Sequence, residues 1–173
     1  MIERIFILAV FFAALPGVAL AGDSAQEFLQ KLEGNFRGKG EAVIPVSQKV
    51  ERVSCSVSNT FNAESNTLSI QGKCATTQGK SKVEGSLQVK DEKVEGSFLS
   101  PFSNSTITQS ASDYHEGRLI LSTSIVDNSS GNLSRLRQII SMTEDGGFVA
   151  DFQKFENSSQ SYKDRGSVVF QKK

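Results

Sequence analysis

Beyond residue 34, apolar and polar residues alternate along most of the chain with a period of two. In "ERVSCSVSNTFNAESNTLSIQGKCATT" the polar cluster Asn62–Asn66 separates two such runs. With the turn centred between Glu64 and Ser65, Phe61 faces Leu68, Asn59 faces Ile70, Val57 faces Gly72 and Cys55 faces Cys74. The apolar residues and both cysteines then share one face, as a half-buried antiparallel pair requires. A second stretch, "VEGSLQVKDEKVEGSF" (83–98), repeats Val-Glu-Gly-Ser plus a large apolar residue around a charged centre. Taking Lys90–Lys93 as the turn, Val89 faces Val94, Leu87 faces Gly96, Gly85 faces Phe98 and Val83 faces Ser100. Each glycine is thereby covered by a large side chain across the ladder, and the glycines let the hairpin bend. Glu84 and Glu95 fall on the opposite, wet face. The related "LEGNFRGKG" (32–40), with Gly34, Gly38 and Gly40, opens the first strand.

The same reading extends over the rest of the chain. "DSAQEFLQKLEG" (23–34) predicts a short helix: Ser24 and Glu27 have capping-box spacing, Phe28, Leu29 and Leu32 share a face, and Gly34 suits the end. Strands are expected near 35–44, 49–61, 67–76, 81–89, 94–100, 105–114, 118–126, 134–143, 148–155 and 161–171. Short turn-like segments such as "YHEG", "DNSSGNLS", "EDGG" and "ENSSQS" separate the later ones. The predicted class is all-β: an antiparallel up-and-down meander of about 8–10 strands, closed as a barrel so that no edge is left bare. A two-sheet sandwich is the competing architecture. An outer-membrane barrel fits poorly, because Lys82, Glu84, Lys93 and Glu95 would have to face lipid.

The N-terminus changes the compartment. Residues 1–21, "MIERIFILAVFFAALPGVALA", have Arg4, an apolar run and a small-residue end, which predicts a secretory signal cleaved before Gly22. Residues 22–173 would then be a single barrel domain, periplasmic or secreted, with no membrane span after cleavage and monomeric. Two cysteines in an exported chain predict a Cys55–Cys74 disulfide. Basic and acidic residues balance at 19 each, which gives no ground for a nucleic-acid partner or an acidic membrane surface. The 12 phenylalanines against no tryptophan make Phe the filler of the interior.

The run "LEGNFRGKGEAVI…VERVSCSVSNTF…NTLSIQGKCAT…VEGSF" resembles a pattern of small, uncharacterised exported proteins of alphaproteobacteria. The matching positions are Gly34, Phe36, Gly38, Gly40, Cys55, Cys74, Gly96 and Phe98. The resemblance covers the first half of the mature chain. It implies a lipocalin-like (calycin-like) barrel in the periplasm and implies no activity.

Candidate chemistry is sparse. His115, the only histidine, stands in "DYHEGR" with Asp113 and Glu116, which is too little for a metal site. No Gly-x-Ser-x-Gly elbow and no complete dinucleotide loop is present. Arg135 and Arg137 share a strand face that could grip an anion, although an ordinary exposed face reads the same way. Asn104, Asn128, Asn132 and Asn157 stand in glycosylation-type sequons. The expectation is therefore a non-enzymatic binding protein without a catalytic residue, metal or cofactor. Its ligand would be small and apolar or amphipathic, held by Phe36, Phe61, Leu87 and Phe98, which equally suit a filled core. The alternative is a module for an envelope protein partner, such as a periplasmic inhibitor or scaffold.

Overall fold

A computed structural model describes residues 24–43, 49–100 and 105–173. Within them alternation becomes ten strands. Helix α1 (Ala25–Lys31) is followed by β1 (Gly34–Val43), β2 (Val50–Asn62), β3 (Thr67–Thr76), β4 (Gly79–Lys90) and β5 (Lys93–Ser100). Then come β6 (Ser105–His115), β7 (Arg118–Asp127), β8 (Leu133–Met142), β9 (Phe148–Glu156) and β10 (Ser161–Lys172). The predicted signal segment and the Asn104 sequon lie outside the described residues.

All ten strands form one antiparallel sheet in the order β5-β4-β3-β2-β1-β10-β9-β8-β7-β6. Each strand except the first and last of the chain thus pairs with its sequence neighbours, apart from the break between β5 and β6. The two ends of the chain meet where β1 pairs with β10, Gly38 opposite Phe170. Gly38 is needed there: a Cβ would stand 2.5 Å from the Phe170 ring, which lies on the bare backbone. The curled sheet comes back on itself at β5 and β6. There no backbone ladder runs; the Ser110 hydroxyl donates to the Gly96 carbonyl at 3.2 Å, and the Ser112 hydroxyl donates to the Val94 carbonyl. The barrel is nearly closed, with this seam bridged by two serines.

The predicted helix carries the predicted cap. The Ser24 side chain accepts from the Glu27 N–H, and the Glu27 carboxylate accepts from the Ser24 N–H. Phe28, Leu29 and Leu32 turn inward and join the strand core. In β2–β3 the expected register is observed throughout: Phe61↔Leu68, Asn59↔Ile70, Val57↔Gly72 and Cys55↔Cys74. The cysteines are joined as a disulfide.

One register departs from expectation. In β4–β5, Val89↔Val94 and Leu87↔Gly96 form as predicted, but the ladder then slips. Ser86 pairs with Ser97 and Glu84 with Ser100, so Val83 does not face Ser100. From Glu84 to Ser86 is two steps, and from Ser97 to Ser100 is three; β5 therefore carries one extra residue, and Gly85 lies against the bulge at Phe98–Leu99 rather than against Phe98 alone. The bulge keeps Phe98 buried while adding twist to the strand beside the seam. Glu84 remains exposed, so the assignment of faces stands.

Inside, phenylalanines from strands distant in sequence converge. Phe148 stacks on Phe170 at 4.5 Å and takes the edges of Phe36 at 5.0 Å and Phe98 at 5.7 Å between ring centres. All four are 1% exposed or less. Such pairs add about 0.5–1.5 kcal/mol each beyond the area they bury.

Candidate functional site: a cleft between the helix and the barrel rim

Helix α1 lies over one end of the barrel. Asn59, 3% exposed, donates through Nδ2 to the Leu32 carbonyl at 2.9 Å and so pins the C-terminal end of the helix. That carbonyl can only accept, which fixes the orientation of the amide and leaves Asn59 Oδ1 buried without a hydrogen-bond partner. On its other side Phe28 meets Tyr114 of β6 at 5.2 Å.

Between α1 and the rim is an open cleft of about 620 Å³. Met142 contributes apolar surface with the buried Phe28 behind it, the turns at Gly117 and at Thr143–Gly146 form one wall, and Lys31, Glu33 and Lys172 stand at the margin. Gly34 also lines it and pairs directly with Asn59 in the β1–β2 ladder. The size falls within the range of small-molecule sites, about 300–1,000 Å³. The wall at Thr143–Gly147 is held by Asp145, whose carboxylate accepts from the Thr143 hydroxyl at 2.5 Å and the Gly147 N–H at 3.3 Å. The Thr143 hydroxyl, then the Gly147 N–H, lower its pKa. A second groove of about 730 Å³ runs over the outer wall across β1, β10 and β9. Its lining mixes charged side chains such as Lys39, Glu41, Asp151 and Asp164 with apolar ones such as Val50, Ile139 and Val169.

The four residues expected to hold a ligand lie beneath the cleft rather than in its lining. Phe36 and Leu87 have no exposed surface and Phe98 is 1% exposed, while Phe61 is half-buried against the same core. The structure brings Phe36 and Phe98 together around Phe148; Leu87 sits beside Gly96 and Leu68. Met142 and Lys172 went unnoticed in the sequence. Met142 was readable as an inward position of β8, two residues after Ile140, but nothing local shows that a helix from the other end of the chain will lie beside it.

The other candidates stay apart. His115 is the exposed last residue of β6, 3.3 Å from Glu116, and no group of three or more His, Cys, Asp or Glu suited to a metal occurs among the described residues. Arg135 and Arg137 share the outer face of β8, as expected, and each lies over an aromatic ring. No helix of the described residues is long and apolar enough to cross a membrane.

No family profile and no curated protein matches the chain. Solved structures do. The chain is similar to an S-type phycobiliprotein lyase, CPES, from Guillardia theta, with a TM-score of 0.63 at 13% identity over 87% of this chain and 93% of that one. It is also similar to the protein Rv2717c from M. tuberculosis, with a TM-score of 0.59 at 16% identity over 87% of this chain and 99% of that one. These likenesses show the fold alone: a nearly closed antiparallel barrel. They give no support to an origin among exported alphaproteobacterial proteins. They also overturn one expectation. An enzyme was set aside because no catalytic motif is legible, yet a protein of this shape is a lyase. A barrel can build a site from residues scattered over many strands, so a missing linear motif does not exclude catalysis.

Proposed function

We propose that the chain is an exported barrel protein that holds a small, apolar or amphipathic ligand in the cleft beside α1. The apolar part of the ligand would rest on Met142, with the buried Phe28 behind it, and an anionic end would lie at Lys172. The observation that carries this reading is the cleft itself, a ligand-sized space floored by the end of the aromatic core. The disulfide supports export to an oxidising compartment. The likeness to a lyase supports a site in which the held molecule is also altered.

Native mass spectrometry of protein purified from its own source is the first test, read for a retained small molecule and for chemical change in it. The second is titration with a fluorescent apolar probe and with fatty acids. Saturable binding at one site is expected, weakened about tenfold by Met142→Asp, the equivalent of about 1.4 kcal/mol. Phe36→Asp is not a usable variant, because a carboxylate would replace a fully buried ring and unfold the core. A folded protein that retains nothing, binds no probe and instead captures a single envelope protein would replace this reading with the partner module.

A further inference from the structure

The inner wall of the barrel changes character away from α1. On β9 the inward positions Phe148 and Ala150 are fully buried, and Phe152 packs on the same core. The next two positions of that phase are Lys154 and Glu156. Phe155 between them points outward, where its ring meets Tyr162 and lies under Arg135. Tyr162 pairs with Phe155, so the next pair, Lys163↔Lys154, stands on the inner face. Two lysines are thus directly opposed inside the wall, their Cβ atoms about 5 Å apart. Leu136 of β8 flanks Lys154 on its other side. Along β9 the pair is about 20 Å from Phe148 and the α1 end. Inward positions are no longer sealed there: Gln138, Leu136 and Lys154 are half-buried and Lys163 is exposed.

Like charges opposed in this way are destabilising unless something neutralises them. Among the described residues neither lysine forms an ion pair. The acids of the inner phase at this end are engaged elsewhere. Glu156 accepts from Arg165 at 2.5 Å, Glu51 from the Gln78 amide at 2.7 Å and the Thr77 hydroxyl at 2.5 Å, and Asp127 from Ser129 and Ser130. Arg165 is the residue that the slip between Asp164 and Gly166 adds to β10, and the bulge aims it past Lys163 to Glu156. Its Nε is buried without a hydrogen-bond partner. Three cations therefore share one carboxylate, which leaves two positive charges and a buried donor uncompensated.

We infer that this end of the barrel is a second binding site, for a small organic dianion with an apolar body, a phosphate monoester or a dicarboxylate. A dianion matches the two uncompensated charges. Lys154 and Lys163 grip its oxygens, Arg165 stands beside them, and the apolar body enters past Leu136 towards Phe152. The inference stands apart from the cleft beside α1, which lies at the other end of the barrel.

The test is calorimetric titration of the protein with phenyl phosphate, phthalate and uncharged benzyl alcohol. Phenyl phosphate or phthalate should bind saturably at one site, and the tighter of the two identifies the source of the charge. Benzyl alcohol should not bind there, and affinity for the dianion should fall as salt is raised. K154Q/K163Q should weaken binding more than about tenfold, since each lysine gives a charge-assisted hydrogen bond. Without ligand the same variant should melt no lower than the native chain, because it removes a repulsion. Its titration with the apolar probe at the α1 cleft should be unchanged. No saturable binding of either dianion, or binding that survives K154Q/K163Q, would overturn the inference. A variant that melts lower without ligand would overturn it as well, because the lysines would then have their counter-charges within the protein.

Discussion

The hairpins β2–β3 and β4–β5 are built from the same kind of sequence and end differently. Both alternate cleanly, both set glycine opposite an apolar residue, and both put their charges outside. The first keeps one register from its turn to the disulfide. The second keeps it for five pairs at the turn end and then slips by one residue. The difference follows from position in the sheet. β3 is paired on both sides, by β2 and β4, so any bulge would have to be matched twice. β5 is paired on one side only and borders the seam. It is free to take up an extra residue, and the added twist helps turn its free edge towards β6.

The sharpest way to break the comparison is Gly96→Val. Gly96 has φ +124°, and a Cβ there would stand 1.9 Å from the Ser86 carbonyl oxygen. The obstruction is backbone, not the Leu87 side chain opposite, so no rotamer change relieves it. Strain and overpacking together should cost about 3–5 kcal/mol in denaturant unfolding. A neutral result would mean that β5 does not run as described.

Next in size is the bridge that closes the first hairpin. Cys55 and Cys74 are 19 residues apart, a loop whose closure stabilises by about 3 kcal/mol in the chain-entropy model. Reduction should lower stability by about 2–4 kcal/mol and leave strand content unchanged in circular dichroism. Titration of unfolded, unreduced protein should find no free thiol at these two positions.

How far the sequence could be read depends on the same distinction between local and distant constraint. The capping box at Ser24 and Glu27, the ten strands and the Cys55–Cys74 pairing follow from local periodicity and turn chemistry, and each is observed. The bulges are another matter. Slips at Glu84/Ser86, Ile107/Gln109 and Asp164/Gly166 answer the curvature of the whole barrel, which no window of residues contains. The site was half legible. Alternation placed Phe36, Leu87 and Phe98 inward, but whether an inward residue lines space or fills it depends on what arrives from elsewhere. Phe148, from the far half of the chain, fills the volume beside Phe36 and Phe98, and α1 leaves its cleft at the rim instead.

A smaller effect probes the seam directly. Ser110→Ala and Ser112→Ala each remove one of the hydroxyl donors that bridge β6 to the carbonyls of β5. Each should cost about 0.5–1.5 kcal/mol. Hydrogen exchange is the more discriminating readout: amides of β5 should exchange faster than those of β3 already in the native protein, and faster still in the double variant. Equal protection of β3 and β5 would mean that the seam holds as firmly as a ladder.

The least effect is expected from acid, and it separates two turns by charge. The β2–β3 turn is closed by Asn62, whose Oδ1 accepts the N–H groups of Glu64 at 2.9 Å and Ser65 at 3.1 Å. The β7–β8 turn uses Asp127 in the same way, accepting from the N–H groups of Ser129 and Ser130 and from both hydroxyls. The Ser129 hydroxyl, then the Ser130 N–H, hold the Asp127 pKa down from 3.8 to about 2. A folded-state pKa below the unfolded one means that the unfolded chain binds more protons between the two values, so stability rises with pH there. This contribution is complete above the unfolded value near 3.8 and disappears as pH falls through about 2. Acidification across that window should therefore loosen the 127–132 turn, seen as faster amide exchange at Ser129 and Ser130, while Glu64 and Ser65 show no such step. Asp127→Asn turns the second motif into the first: the step should vanish while the turn persists at neutral pH. A step that survives the substitution would assign the acid sensitivity to another carboxylate, Asp145 or Glu51, both of which are also lowered by hydrogen bonds.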